Sequence, residues 1–158
     1  MYPQLLIFLH VVSVLGLLAT HGVSMFVLYR IRREPDRRKI LDFVSLSGET
    51  VLPMYVSIGA IVVTGVLAAL KFDRFGQLWL WVAIVILFVT IALMVLLARP
   101  YFRRVKAACE VRPSGVPRVS DEELREIVGG STAHVITAIG TIGLLAILYL
   151  MIFKPWVF

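Results

Sequence analysis

Four long apolar stretches follow one another in a chain of 158 residues, at approximately 3–29, 51–70, 78–98 and 131–153. Each is about 20 residues or more, the length an α-helix needs to cross a hydrocarbon core of about 30 Å. With 59% hydrophobic residues overall, a soluble fold has no way to hide four such runs. The pattern predicts an all-α membrane protein, a four-helix transmembrane bundle that occupies 1–158 as one domain.

The charges orient it. Arg30, Arg32, Arg33, Arg37, Arg38 and Lys39 lie between the first and second runs. Arg99, Arg103, Arg104, Lys106, Arg112, Arg118 and Arg125 follow the third, and only Lys71, Arg74 and Lys154 lie on the other side. The positive-inside rule puts both basic loops in the cytoplasm and both termini outside. The expected location is the bacterial inner membrane, as two helical hairpins that each enter, turn through a basic loop and return. The formal charge of +6 then calls for anionic lipid head groups and no nucleic acid. A second copy or a partner subunit in the membrane is compatible with the same surface.

The first run lacks a basic leader segment and a small-residue cleavage site, so the expectation is a retained helix and not a signal peptide. Cys109 is the only cysteine, which excludes an intrachain disulfide and a thiolate cluster and suggests a free surface thiol. Pro53 removes the donor for the carbonyl of Glu49 and predicts a kink in the second helix. Pro113, Gly115 and Pro117 mark a loop. Ser120 followed by Glu123 has capping-box spacing and predicts a short helix leading into the last span, with Gly129 and Gly130 as a hinge. Trp79, Trp81 and Trp156 fall at the outer interface, where aromatic belts anchor membrane proteins.

Polar groups within the spans are costly in hydrocarbon and carry most of the functional signal. At 100° per residue, His10, Ser13, Thr20, His21 and Ser24 share about a third of the circumference of the first helix. His134, Thr137 and Thr141 form a stripe on the last helix, and Glu49, Pro53, Ala60 and Thr64 form one on the second. The third helix has only Thr90, so the first, second and fourth helices are expected to converge while the third faces lipid. Counted from the cytoplasmic charges, His21, Glu49 and His134 each lie about 14 to 15 Å along their helices. They form a candidate site for a divalent metal or a proton relay, against the plainer reading that they satisfy one another between helices. His10 is roughly 16 Å from His21 along the helix and belongs to a different level. It reads either as a packed, hydrogen-bonded residue or as an axial ligand to haem iron. The methionines show no Met-x-x-Met cluster of the kind soft copper ions favour.

The segments LLIFLHVVSVLG, VLPMYVSIGAIVVTGVL and LYLMIFKPWVF resemble an uncharacterised bacterial four-helix integral membrane family allied to the copper resistance protein D superfamily. More distantly, the chain resembles the HemJ-type protoporphyrinogen oxidases. The HemJ likeness implies haem b with His10 as its ligand, Pro53 as the helix-two proline, and Lys154 and Pro155 as the closing Lys-Pro. Three functions follow as expectations: a haem- or metal-binding membrane protein without an assigned reaction, a redox enzyme acting on a porphyrin or quinone, or a structural or assembly subunit. In the last, small residues such as Gly16, Thr20 and Ser24 serve close helix contact.

Overall fold

The computed structural model describes residues 2–155. Six helices run in order: α1 (Pro3–Ile31), α2 (Arg37–Glu49), α3 (Val51–Lys71), α4 (Leu78–Cys109), α5 (Asp121–Gly129) and α6 (Thr132–Phe153). They build four candidate membrane spans, because α2 continues into α3 and α5 into α6. The chain is a four-helix membrane bundle.

The interruption between α2 and α3 falls at Thr50, one turn before Pro53. A proline leaves the carbonyl four residues earlier without its donor, here that of Glu49, so the break sits where that bond is missing. The Thr50 hydroxyl donates to the Ser47 carbonyl at 2.8 Å and satisfies part of the exposed helix end. α5 opens as its spacing predicts: Ser120 Oγ accepts the Glu123 N–H at 3.1 Å. Gly130, with extended backbone, then separates it from α6.

The two expected hairpins form, but the expected convergence of three polar stripes does not. α1 packs along α3, and α4 packs along α6, giving two antiparallel hairpins. The helices carrying His10, Glu49 and His134 therefore do not converge as a group of three. The third span is the main partner of the fourth. It is also not the least covered, since 11% of its apolar window is buried against 6% for the second span. Small residues decide this arrangement. A Cβ at Gly143 would meet the Thr90 side chain, and one at Gly140 would meet His21 and Met94, so these glycines let α4 and α1 approach α6 closely.

Much of what reads as basic loop is helix. α4 passes through Pro100 and continues to Cys109, with Tyr101, Val105 and Ala108 buried on one face. They join Val27, Ile31, Ile40, Val44, Leu124 and Val128 in an apolar cluster at the basic end of the bundle. Arginines tie its helix ends together. Arg37 donates to the carbonyls of Ala108 (2.7 Å) and Val119 (2.8 Å) and to the Asp121 carboxylate (2.8 Å). Arg32 donates to the Gly130 carbonyl at 2.6 Å. Cys109 is buried beneath this layer, so the expected surface thiol is instead a packed one. At the other end Trp79 is buried with Ala69, Leu80, Ala83 and Leu150, while Trp81 stays exposed. Trp156 lies outside the described residues.

Candidate functional site

His10 sits in the seam between α1 and α3. Its Nδ1 lies 2.9 Å from Thr64 Oγ1, and the Thr64 hydroxyl itself donates to the Ala60 carbonyl at 2.6 Å. With its proton on the Ala60 carbonyl, Thr64 would accept from Nδ1–H and leave the lone pair on Nε2; Thr64 donating to Nδ1 fits the same distance with the other tautomer. Gly65 makes room for the ring: a Cβ there would come within 3.3 Å of His10 Cε1. Leu6 and Leu17, on the same helix as His10, are buried in the bundle. On the His10 face of that helix, three and four residues away, Ile7 is exposed and Val14 half-buried.

Ser13 and Thr20 of the α1 stripe are spent on local bonds, and Ser24 reaches across to α2. Ser13 donates to the Leu9 carbonyl at 2.7 Å, and Thr20 to those of Leu17 and Gly16. Ser47 donates to Ser24 Oγ at 3.1 Å, whose own hydroxyl lies 3.4 Å from Thr50 Oγ1, linking α1 to the end of α2.

His21, Glu49 and His134 are not assembled into a metal centre. Among the described residues no group of three or more His, Cys, Asp or Glu side chains could hold a metal ion. His21 lies against Gly140 of α6. His134 is exposed and packs near Tyr29, ring centroids 5.8 Å apart. Glu49 is exposed as the last residue of α2. Equal depths for the three side chains would need unbroken helices with equal overhangs. The break at Gly130 instead puts His134 in the first turn of α6, and the break at Thr50 puts Glu49 at a helix terminus.

Between the two hairpins lies a half-open cavity of about 520 Å³. Its walls are mostly apolar, with Leu17, Met54, Ile58, Leu87, Leu144 and Ile147 in the throat. Two polar atoms in this lining, His21 Nε2 and Thr137 Oγ1, are buried without a hydrogen-bond partner. Toward the basic end the cavity is bordered by Arg99, Arg103 and Lys106 of α4 and by Glu49. Sequence reasoning named His21, Thr137 and Glu49 but not the three cations as part of a site. Their spacing along one face of a helix was visible, yet only the continuation of α4 past Pro100 gives that spacing meaning.

A family model described as "Predicted integral membrane protein (DUF2269)" matches residues 4–155. No curated protein and no solved structure matches the chain.

Proposed function

The chain belongs to the DUF2269 family of predicted integral membrane proteins, and from that premise we propose that it binds haem b in the bacterial inner membrane, with His10 as the axial ligand. The observation that carries this reading is the run of polar contacts from His10 Nδ1 through Thr64 Oγ1 to the Ala60 carbonyl, which suits a ring protonated on Nδ1. A ligating histidine is typically held by a hydrogen bond from its other ring nitrogen, which fixes ring orientation and makes the free nitrogen more basic. Thr64 supplies that bond, Gly65 lets the ring lie close to α3, and Ile7 and Val14 offer apolar surface to a macrocycle. Bound haem would supply one-electron redox chemistry. The chain's own contribution is to hold the His10 ring, keep its proton on Nδ1 and exclude water with the apolar flanks. The HemJ resemblance supports the same residue, and no reaction is assigned.

The test is an absorption spectrum of detergent-purified protein produced with adequate haem supply. A Soret band is expected in the wild type and in His21→Ala and His134→Ala, and its loss in His10→Ala. A wild-type protein that stays colourless would overturn the reading and favour a structural role for the His10–Thr64 bond. Haem kept in His10→Ala but lost in His21→Ala would move the ligand to the inter-hairpin cavity.

A further inference from the structure

We propose that the cavity between the hairpins is a discrete binding site for one anionic glycerophospholipid, with its phosphate on Arg99, Arg103 and Lys106 and an acyl chain in the apolar throat. The inference does not depend on haem at His10, which lies in the seam between α1 and α3 and is not part of the cavity lining.

Three kinds of group are arranged along the cavity in the order such a lipid presents them. At the basic end, Arg99, Arg103 and Lys106 fall at i, i+4 and i+7 on α4 and so share a face. None has an ion-pair partner among the described residues, whereas Arg30, Arg37 and Arg118 each have one. Glu49 borders the same mouth, leaving three cations to one carboxylate. That imbalance favours a phosphate.

Next come the two buried atoms without partners, His21 Nε2 and Thr137 Oγ1. The contacts of Gly143 with Thr90 and of Gly140 with Met94 set the antiparallel register of α6 on α4. That register puts Thr137 level with Leu97, about 3 Å along the axis from Arg99. Met94, and with it His21, is one turn further from the charges. Buried polar atoms are normally satisfied, and an unpaired pair on two residues of the cavity wall marks where a ligand's acceptors would belong once the side chains turn to meet them. Ester carbonyls, just inside the phosphate of a glycerophospholipid, accept hydrogen bonds from a hydroxyl and an imidazole N–H. Beyond them Leu87, Leu144 and Ile147 continue the cavity as hydrocarbon, the environment an acyl chain needs. A free anion would leave the throat unused, and a neutral quinone would leave the three cations unused.

The experiment is native mass spectrometry of the full-length protein released from detergent. The probes are phosphatidylglycerol, phosphatidylcholine with the same chains, and the ether-linked analogue of phosphatidylglycerol. One phosphatidylglycerol per chain is expected, retained in preference to phosphatidylcholine. Arg99→Gln/Arg103→Gln/Lys106→Gln should weaken it on the order of 10- to 100-fold, the loss of three cations near an anionic head group. The ester lipid should bind better than its ether analogue, and Thr137→Val should narrow that difference.

Inorganic phosphate in excess should not displace the lipid; if it does, the throat is not part of the site and the proposal fails. Equal retention of the anionic and zwitterionic lipids, or of the ester and ether forms, would overturn it using the wild type alone, whatever the variants do. Haem recovered from the cavity in place of lipid, lost on the charge substitutions, would also overturn it. Failure of the His10 reading would instead show as a colourless protein that still retains phosphatidylglycerol.

Discussion

The imidazole of His21 lies where a side chain on Gly140 would begin, so α1 and α6 meet through a ring seated on a glycine. A Cβ at position 140 would also come within 2.6 Å of the Met94 methyl group, so three helices depend on the missing atom. Gly140→Ala is expected to lower stability by about 1 to 3 kcal/mol, the usual cost of overpacking. His21→Ala in the same chain should recover part of that loss, because it removes the obstructing ring. Thermal unfolding of the four proteins of this double-mutant cycle, in one detergent, measures the coupling. Additive effects would mean that the ring and the glycine do not meet.

Arg37 is expected to outweigh its neighbours on α2. Its guanidinium reaches the end of α4, the loop before α5 and the Asp121 carboxylate in three bonds of 2.7 to 2.8 Å. Its side chain is only 12% exposed. Arg37→Ala leaves those acceptors without their donor and should cost about 1.5 to 3 kcal/mol, the range for hydrogen bonds to charged groups. Arg38 is exposed and its side chain makes no hydrogen bond or ion pair among the described residues, so Arg38→Ala should stay within about 0.5 kcal/mol of wild type. Chemical unfolding of the two variants side by side checks the difference.

The sequence displays what a single helix decides and conceals what two helices decide together. The spans are legible because twenty apolar residues in a row have few other uses. The break near Pro53 and the Ser120 cap are legible because each rests on one backbone group and its partner a few residues away. Pairing of consecutive spans into hairpins is legible as well, but the fit that seats one helix on the next is not. Gly140 and Gly143 select α4 as the neighbour of α6 only when Met94 and Thr90 arrive at matching heights. Polar stripes suggested convergence of the other three spans, but Ser13 and Thr20 satisfy their hydroxyls on carbonyls of their own helix, and Thr64 reaches only the neighbouring α1, through His10. His10 was visible as a candidate from its position, whereas its tautomer depends on Thr64, 54 residues away.

Cys109 should label slowly in the folded protein. It is the last residue of α4, 2% exposed, and is packed in the apolar cluster at the basic end. A maleimide needs both access and thiolate, and burial in apolar surroundings limits both. Little modification is expected in mild detergent, and complete modification once a denaturing detergent opens the cluster. Arg37→Ala, which loosens the contact above Ala108, should raise the folded-state rate. Rapid labelling of the native wild type would contradict the burial.

Orientation in the bilayer follows from charge, because the fold brings the start of α1 and the end of α6 to one end of the bundle and the basic helices to the other. The start of α1 meets α3 through His10 and Thr64, and the end of α6 meets the start of α4 through Leu150 and Trp79. The residues of α2, the end of α4 and α5 gather at the opposite end. Lys and Arg near span ends are retained on the cytoplasmic side, so both termini are expected outside. Gly76 and Ser114, exposed in connections at the two ends, report this directly once Cys109→Ser removes the native thiol. In intact cells a membrane-impermeant maleimide should modify Gly76→Cys and spare Ser114→Cys until the membrane is opened. The reverse pattern would invert the topology and place the cavity's Arg99, Arg103 and Lys106 against the outer leaflet. Labelling of both in intact cells would mean that the chain inserts in two orientations, and that its charge asymmetry is too weak to choose between them.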